Sequence, residues 1–151
     1  MKFLCDQMLG TLAKWLRVCG FDTFYANKDT KDEELLEICK KDDYTLITRD
    51  KNLIYAARRE QIDVIEIQTT DLDLQIKKVM QVTKIRKDFI LSRCLVCNNL
   101  LDTIDKKNAK GKVPAKVFEN HEEFLFCKNC EKIYWKGTHY DKMLEKIKQY
   151  L

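Results

Sequence analysis

Two cysteine pairs with matching internal spacing, Cys94-x-x-Cys97 and Cys127-x-x-Cys130, stand in the last third of this sequence. Each C-x-x-C turn can present two thiolates to one ion, and two such turns complete a tetrahedral four-sulfur site of the zinc-ribbon type. The 29 residues between the pairs exceed ordinary finger spacing, but a ribbon tolerates a long hairpin between its knuckles. Turn-forming residues adjoin both pairs: Asn98 and Asn99 follow the first, and Lys128 and Asn129 lie within the second. Two disulfides or a redox motif are the competing readings. A site closed by four thiolates has no open coordination position, so it predicts a structural Zn2+ and sends the search for catalysis elsewhere.

The other candidate chemistry is acidic. Asp6, Asp29 with Asp32, Asp50, and Asp71 with Asp73 each follow a strand-like run, and Glu33 and Glu34 adjoin Asp32. Singly, each reads as a helix cap. Their recurrence matters because two carboxylates ~4 Å apart repel by roughly 4 kcal/mol at an effective dielectric near 20. A cluster of them calls for a cation, and carboxylate oxygens suit Mg2+ or Mn2+, the ions of phosphodiester-cleaving sites. Little else in the chain could carry catalysis. The two histidines, His121 and His139, both lie in the cysteine-paired half, and no glycine-rich phosphate loop is present.

The elements that must position these groups alternate in type. Lys2 to Cys5, Thr23 to Tyr25, Tyr44 to Ile47 and Val64 to Ile67 read as strands. Between them, Leu9 to Cys19, Lys31 to Lys41 and Lys51 to Glu60 carry helical periodicity, and a fourth helix runs from near Asp71 to about Val82. Gly20 stands where a left-handed residue closes a helix, and Thr30 with Glu33 forms a capping-box pattern. Alternation with short connections predicts a parallel α/β sheet flanked by helices, with the acidic loops at its C-terminal edge. Lys84 to Leu91 is a basic connector or short helix, the ribbon runs from Ser92 to about His139, and Tyr140 to Leu151 is a terminal helix. The expected division is therefore 1–83, 84–91 and 92–151.

Composition agrees with two jobs. At 45% hydrophobic and 34% charged residues the chain reads as globular, and no apolar run is long enough to cross a bilayer. The start, Met1 and Lys2 followed by a short run broken at Asp6, lacks a signal peptide's apolar core. A cytoplasmic protein with reduced thiols and no membrane partner is the expectation, which favours metal over disulfides. Cys5, Cys19 and Cys39 stand singly among apolar residues and read as buried small hydrophobes. Residues 1–83 carry 13 Lys and Arg against 15 Asp and Glu, whereas residues 84–151 carry 15 against 9. The basic half suits a polyanion such as RNA, the acidic half a divalent cation.

Particular strings sharpen this. Phe3-Leu4-Cys5-Asp6-Gln7-Met8-Leu9-Gly10, Leu12-Ala13-Lys14-Trp15-Leu16-Arg17, Gly20-Phe21-Asp22-Thr23, Asp32-Glu33-Glu34-Leu35-Leu36, Leu46-Ile47-Thr48-Arg49-Asp50, Ser92-Arg93-Cys94 with Cys97, and Cys127-x-x-Cys130 followed by Ile133-Tyr134-Trp135-Lys136-Gly137-Thr138-His139 span nearly the whole chain. With them the sequence resembles the Mut-seven C-terminal RNase-domain family, PIN-like proteins with a C-terminal zinc ribbon. The resemblance implies a Mg2+- or Mn2+-dependent ribonuclease with Asp6, Asp32 and Asp50 at the family's acidic positions. Which of Asp32, Glu33 and Glu34 faces the metal stays open, as does endo- or exonucleolytic action. Asp22 also matches a family position, but it precedes its strand and reads as a structural turn. Lys14, Arg17 and Arg49 are candidate phosphate contacts, or equally solvated or salt-bridged residues. Tyr134, Trp135 and His139 either stack on bases or, more economically, pack beneath the knuckles. The rival to a nuclease is an RNA- or ribosome-associated adaptor without useful activity.

Overall fold

A computed structural model describes residues 1–151. Four parallel strands, β1 (Lys2–Cys5), β2 (Asp22–Tyr25), β3 (Thr45–Thr48) and β4 (Val64–Glu66), form one sheet in the order β2-β1-β3-β4. Helices α1 (Gly10–Val18), α2 (Asp32–Asp42) and α3 (Lys51–Arg59) connect them, and α4 (Leu72–Val79) follows β4. From β1 to β2 the chain moves one way across the sheet; from β2 to β3 to β4 it moves the other. Right-handed crossovers then require α1 on one face and α2 with α3 on the other. Side-chain alternation along the strands obeys this requirement. Phe3, Cys5 and Ile47 pack with Leu12, Leu16, Ile76 and Val79 beneath α1 and α4. Leu4 and Leu46 pack with Leu35, Leu36, Leu53 and Ala57 beneath α2 and α3. The strand order reverses between β1 and β3, which opens a crevice at their C-terminal ends.

Several boundaries differ from expectation for local reasons. The segment before α1 is a 3-10 turn, Gln7–Leu9, capped by Asp6. The capping box at α2 does not form: Thr30 Oγ1 instead donates to Asn27 Oδ1, and the helix starts at Asp32 without a side-chain cap. The fourth helix ends at Val79, short of Val82.

The remaining chain is not an isolated appendage. A 3-10 turn at Lys87–Phe89 crosses over Gly20, whose φ is +95°. A Cβ at Gly20 would lie 2.3 Å from the Phe89 carbonyl oxygen, so both the conformation and the space require glycine. An antiparallel sheet follows, β5 (Asp102–Ile104), β6 (Phe124–Cys127) and β7 (Lys132–Trp135), in that order. Two short helices, α5 (Lys106–Ala109) and α6 (Ala115–Asn120), fill the long insertion between β5 and β6. The terminal helix α7 (Thr138–Lys148) buries Met143 and Ile147 against Val18, Cys19 and Leu91. That third core joins α1, the connector and α7. No helix is long and apolar enough to cross a membrane.

Candidate functional site

Two donor clusters occupy different parts of the molecule. The four ribbon sulfurs are gathered by two knuckles, and their ligand atoms all lie within 4.8 Å of one another. Cys97 Sγ and Cys127 Sγ are 3.4 Å apart, far beyond a disulfide bond of ~2.05 Å and close to the ~3.8 Å edge of a tetrahedron with 2.3 Å metal–sulfur bonds. All seven cysteines are free thiols. The residue after each pair, Asn98 and Glu131, takes a left-handed conformation, with φ of 75° and 54°. That turn lets backbone N–H groups face sulfur, as Cys130 N donates to Cys127 Sγ at 3.4 Å.

The thiols are electrostatically unequal. Burial would raise Cys94, but the Tyr134 hydroxyl and the N–H groups of Cys97 and Val96 overcome it and bring the thiol down to about 6. Cys97 is also lowered: burial opposes the change, and the Asn99 N–H and Cys127 outweigh it. Cys130 moves the other way, to about 12, chiefly through its hydrogen bond with Cys97. Two thiols are thus lowered and Cys130 is raised, and four thiolates gathered this closely would repel one another unless a cation is present. The cluster can hold a metal such as zinc.

By contrast, Cys5, Cys19 and Cys39 are buried without polar support; burial raises Cys19 to about 12 and Cys39 to about 11.

The acidic cluster lies at the sheet crevice. Asp6 leaves β1, Asp50 leaves β3 and Asp32 opens α2, and all three line one small cavity of about 50 Å³ with Gln7, Asn27 and Thr30. Asp6 is only 6% exposed. Its Oδ1 accepts from Met8 N at 3.0 Å and its Oδ2 accepts from the Thr48 hydroxyl. Thr48 Oγ1 in turn accepts from Asp50 N at 3.0 Å, so one buried hydroxyl links both strand ends. Asp50 Oδ1 caps α3, accepting from Asn52 N at 2.9 Å and Leu53 N at 3.3 Å.

Burial pushes the Asp6 carboxyl upward; the bonds from Thr48 and Met8 pull it down, the Asp50 charge raises it and Arg49 lowers it. Asp32 is raised by desolvation and then by Asp50, Glu33 and Asp6. The three carboxylates therefore share a field as well as a cavity. They are more widely spaced than the sulfurs, which are the one group of three or more potential ligands within 4.8 Å of each other. Hard oxygen donors held in mutual repulsion fit a Mg2+ or Mn2+ ion by donor chemistry.

Of the three successive acids on α2, it is Asp32 that lines this cavity; Glu33 lines a separate depression with Glu37, Lys40 and Arg59. The acids after β4 do not join. Asp71 caps α4 through Leu74 N, and Asp73 is held by Lys146 at 2.8 Å and by the Tyr150 hydroxyl.

A family model described as the Mut7-C RNAse domain matches residues 1–147. The chain belongs to that family. Membership in the Mut7-C RNAse domain family supports an RNase role and RNA as substrate. No curated protein matches the chain.

The basic residues separate. Arg17 is a correction: it is 8% exposed and turned inward, unavailable to phosphate. Its Nε donates to Thr23 O at 3.0 Å, and its Nη1 donates to Leu95 O at 3.0 Å and Val96 O at 3.1 Å. A guanidinium fork has the donors to satisfy three carbonyls at once, and here it fastens the first knuckle to the body. Asn98 adds to the dock, accepting from Thr23 N at 3.0 Å and donating to Asp22 at 2.7 Å. Asp22 is thus a structural residue at the opposite, N-terminal edge of the sheet. Arg49 stands beside Asp6, and its Nε is buried without a hydrogen-bond partner. Lys14 is exposed and lines a groove against the ribbon with Trp135 and His139. Tyr134 packs beneath the first knuckle, accepting from Leu95 N and bonding Cys94 Sγ.

Sequence reasoning passed over Thr48 as a site residue. Its signal was its place two residues before Asp50, at the end of a buried strand.

Proposed function

We propose that this chain is a ribonuclease that hydrolyses RNA phosphodiester bonds at the Asp6, Asp32 and Asp50 cavity, with a structural Zn2+ in the ribbon. The observation that carries the reading is the convergence of three carboxylates from three loops at the crevice where the strand order reverses. In parallel α/β sheets this crevice is the usual place for ligands.

Asp6, Asp32 and Asp50 would hold Mg2+ or Mn2+, which when bound supplies charge neutralisation at phosphate and activation of water. The chain's own groups do the rest. Thr48 fixes the Asp6 carboxylate by its hydroxyl and holds the backbone of Asp50. Helix α3 takes up Asp50 Oδ1 and leaves Oδ2 for a ligand. Arg49 places positive charge beside Asp6, where a phosphate would be drawn in. The basic ribbon half recruits the RNA strand.

The test is cleavage of mixed structured RNAs with Mn2+ by wild type and by Asp50→Asn. Asparagine caps a helix about as well as aspartate, so the fold should persist. Activity should fall on the order of 10²-fold or more, the scale of losing one electrostatic stabiliser. Absence of Mn2+-dependent cleavage in the zinc-loaded wild type would favour the adaptor reading instead.

A further inference from the structure

A sizeable apolar cavity lies away from the acidic edge. A groove of about 420 Å³ runs between α1, β7 and α7, within the ~300–1,000 Å³ typical of ligand pockets. Its walls are aromatic and aliphatic, with Trp135, Tyr140 and His139 among them. Of its 15 lining residues three are lysines, Lys14, Lys132 and Lys136, and none is a carboxylate. Lys14 stands on α1, whereas Lys132 opens β7 and Lys136 follows its end, where its Nζ also lies 3.6 Å from Glu123 Oε2. Lys132 Nζ is 5.5 Å from the Tyr134 ring and Lys136 Nζ 5.8 Å from that of Tyr140.

Gly137 keeps the indole of Trp135 close to the backbone. A Cβ there would stand 2.8 Å from Trp135 Nε1, so any larger residue would displace the ring.

We infer that this groove binds an unpaired nucleotide of an RNA strand, with the base stacked against Trp135 and its flanking phosphates on Lys14 and Lys136. Rings of this kind accept any base face, and the ammonium groups match a polyanion but not an acid-free apolar partner. Lys14 also ties the groove to the acidic edge, because it stands on the second turn of the helix that leaves that edge, roughly 6 Å along the axis from Gly10. A strand held at the groove by one nucleotide would then be led along α1 toward Asp6. A duplex could not enter, since its bases are stacked and paired. The inference rests on RNA being the substrate, but it concerns binding, which is measured without cleavage.

The experiment uses zinc-loaded full-length protein in buffer free of Mg2+ and Mn2+, with a labelled oligo(A) single strand and a blunt RNA duplex of equal length, read by anisotropy. The single strand should bind the tighter of the two. Trp135→Leu should weaken single-strand binding roughly tenfold or more while zinc content and melting temperature hold. Should that variant lose zinc or melt early, Lys14→Ala and Lys136→Ala decide: each exposed lysine should lower the slope of log affinity against log salt by about 0.7.

Equal binding of duplex and single strand, or salt slopes unchanged in both lysine variants, overturns the inference. So does concentration-dependent self-association that Trp135→Leu abolishes, which would make the groove a surface for a second copy. If cleavage with Mn2+ fails while these binding results hold, the nuclease reading falls and the groove stands.

Discussion

The thiol cluster and the carboxylate cluster gather like charges by opposite strategies. In the ribbon the donors lie close, within 4.8 Å, and the backbone turns to meet them with N–H groups. At the sheet crevice the donors are fixed by the fold: Asp6 and Asp50 are held by strand ends, a buried threonine and a helix cap whether or not an ion is present. The first arrangement gathers four sulfurs closely enough to hold a metal. The second derives its order from two hydrophobic cores and keeps spare ligand capacity. A closed site built the first way serves stability, and an open one built the second way serves chemistry.

The largest effect should separate the two regions. Cys97→Ser, or exhaustive zinc removal, should abolish the expected one Zn2+ per chain; structural zinc is worth on the order of 10–16 kcal/mol in small finger peptides. Amide exchange protection in β5, β6 and β7 should collapse while β1, β3 and β4 stay protected. Protection lost together across both sheets would show that the ribbon and body form one cooperative unit. Full stability with no zinc by elemental analysis would remove the contrast altogether.

The next effect probes the seam. Arg17→Ala leaves the Thr23, Leu95 and Val96 carbonyls without their donor. Hydrogen bonds to charged groups contribute about 1.5–3 kcal/mol, so a loss of about 3 kcal/mol is expected in chemical denaturation. Arg17→Lys should recover little, because an ammonium cannot fork to carbonyls on two segments. A neutral Arg17→Ala would mean that the Asn98 bonds and the third core suffice to dock the ribbon.

Arg17 also marks the limit of what could be read from sequence. The strand and helix alternation of residues 2–79 was legible because apolar periodicity and short connections state it directly. The C-x-x-C pairs were legible because ligand spacing is local. Arg17 was misjudged because its partners Leu95 and Val96 lie 78 and 79 residues away, and nothing in helical periodicity distinguishes an inward guanidinium from a solvated one. Thr30 failed as a cap because Asn27 competes for its hydroxyl. Asp73 looked like the other strand-end acids until α7 folded back to bring Lys146 and Tyr150 onto it. The helices between β5 and β6 were too short to declare themselves against a polar, lysine-rich background.

A smaller effect sharpens the acidic side. Thr48→Val keeps the buried shape but removes the hydroxyl shared by Asp6 and Asp50. Losing a partner that orients a ligand typically costs about 10–100-fold in metal affinity or activity. The Mn2+ concentration for half-maximal cleavage should rise by that factor, and Thr48→Ser should restore it. An unchanged Mn2+ dependence would indicate that strand geometry alone aims the carboxylates.

The smallest effect concerns pH, and its sign distinguishes a site that holds charge against the fold from one that uses it. Burial raises Asp6, and burial followed by the Asp50 charge raises Asp32, both from an ordinary value of 3.8. In the unfolded chain each carboxyl ionises near that ordinary value; in the folded chain each keeps its proton to higher pH. The native state therefore binds more protons across the interval, and stability must fall as pH rises through it. A divalent cation favours the ionised forms, so Mn2+ should flatten that fall or reverse it. Urea unfolding from about pH 4 to about pH 7 would show it, with Asp6→Asn as the reference that cannot titrate at this position. Without Mn2+, wild type should lose stability relative to Asp6→Asn as pH rises; with Mn2+ that loss should shrink or turn into a gain. A wild type that gains without any cation would mean that the bonds from Thr48 and Met8 outweigh desolvation. Asp6 would then be a structural cap, and the acidic crevice would resemble the ribbon more than it differs from it.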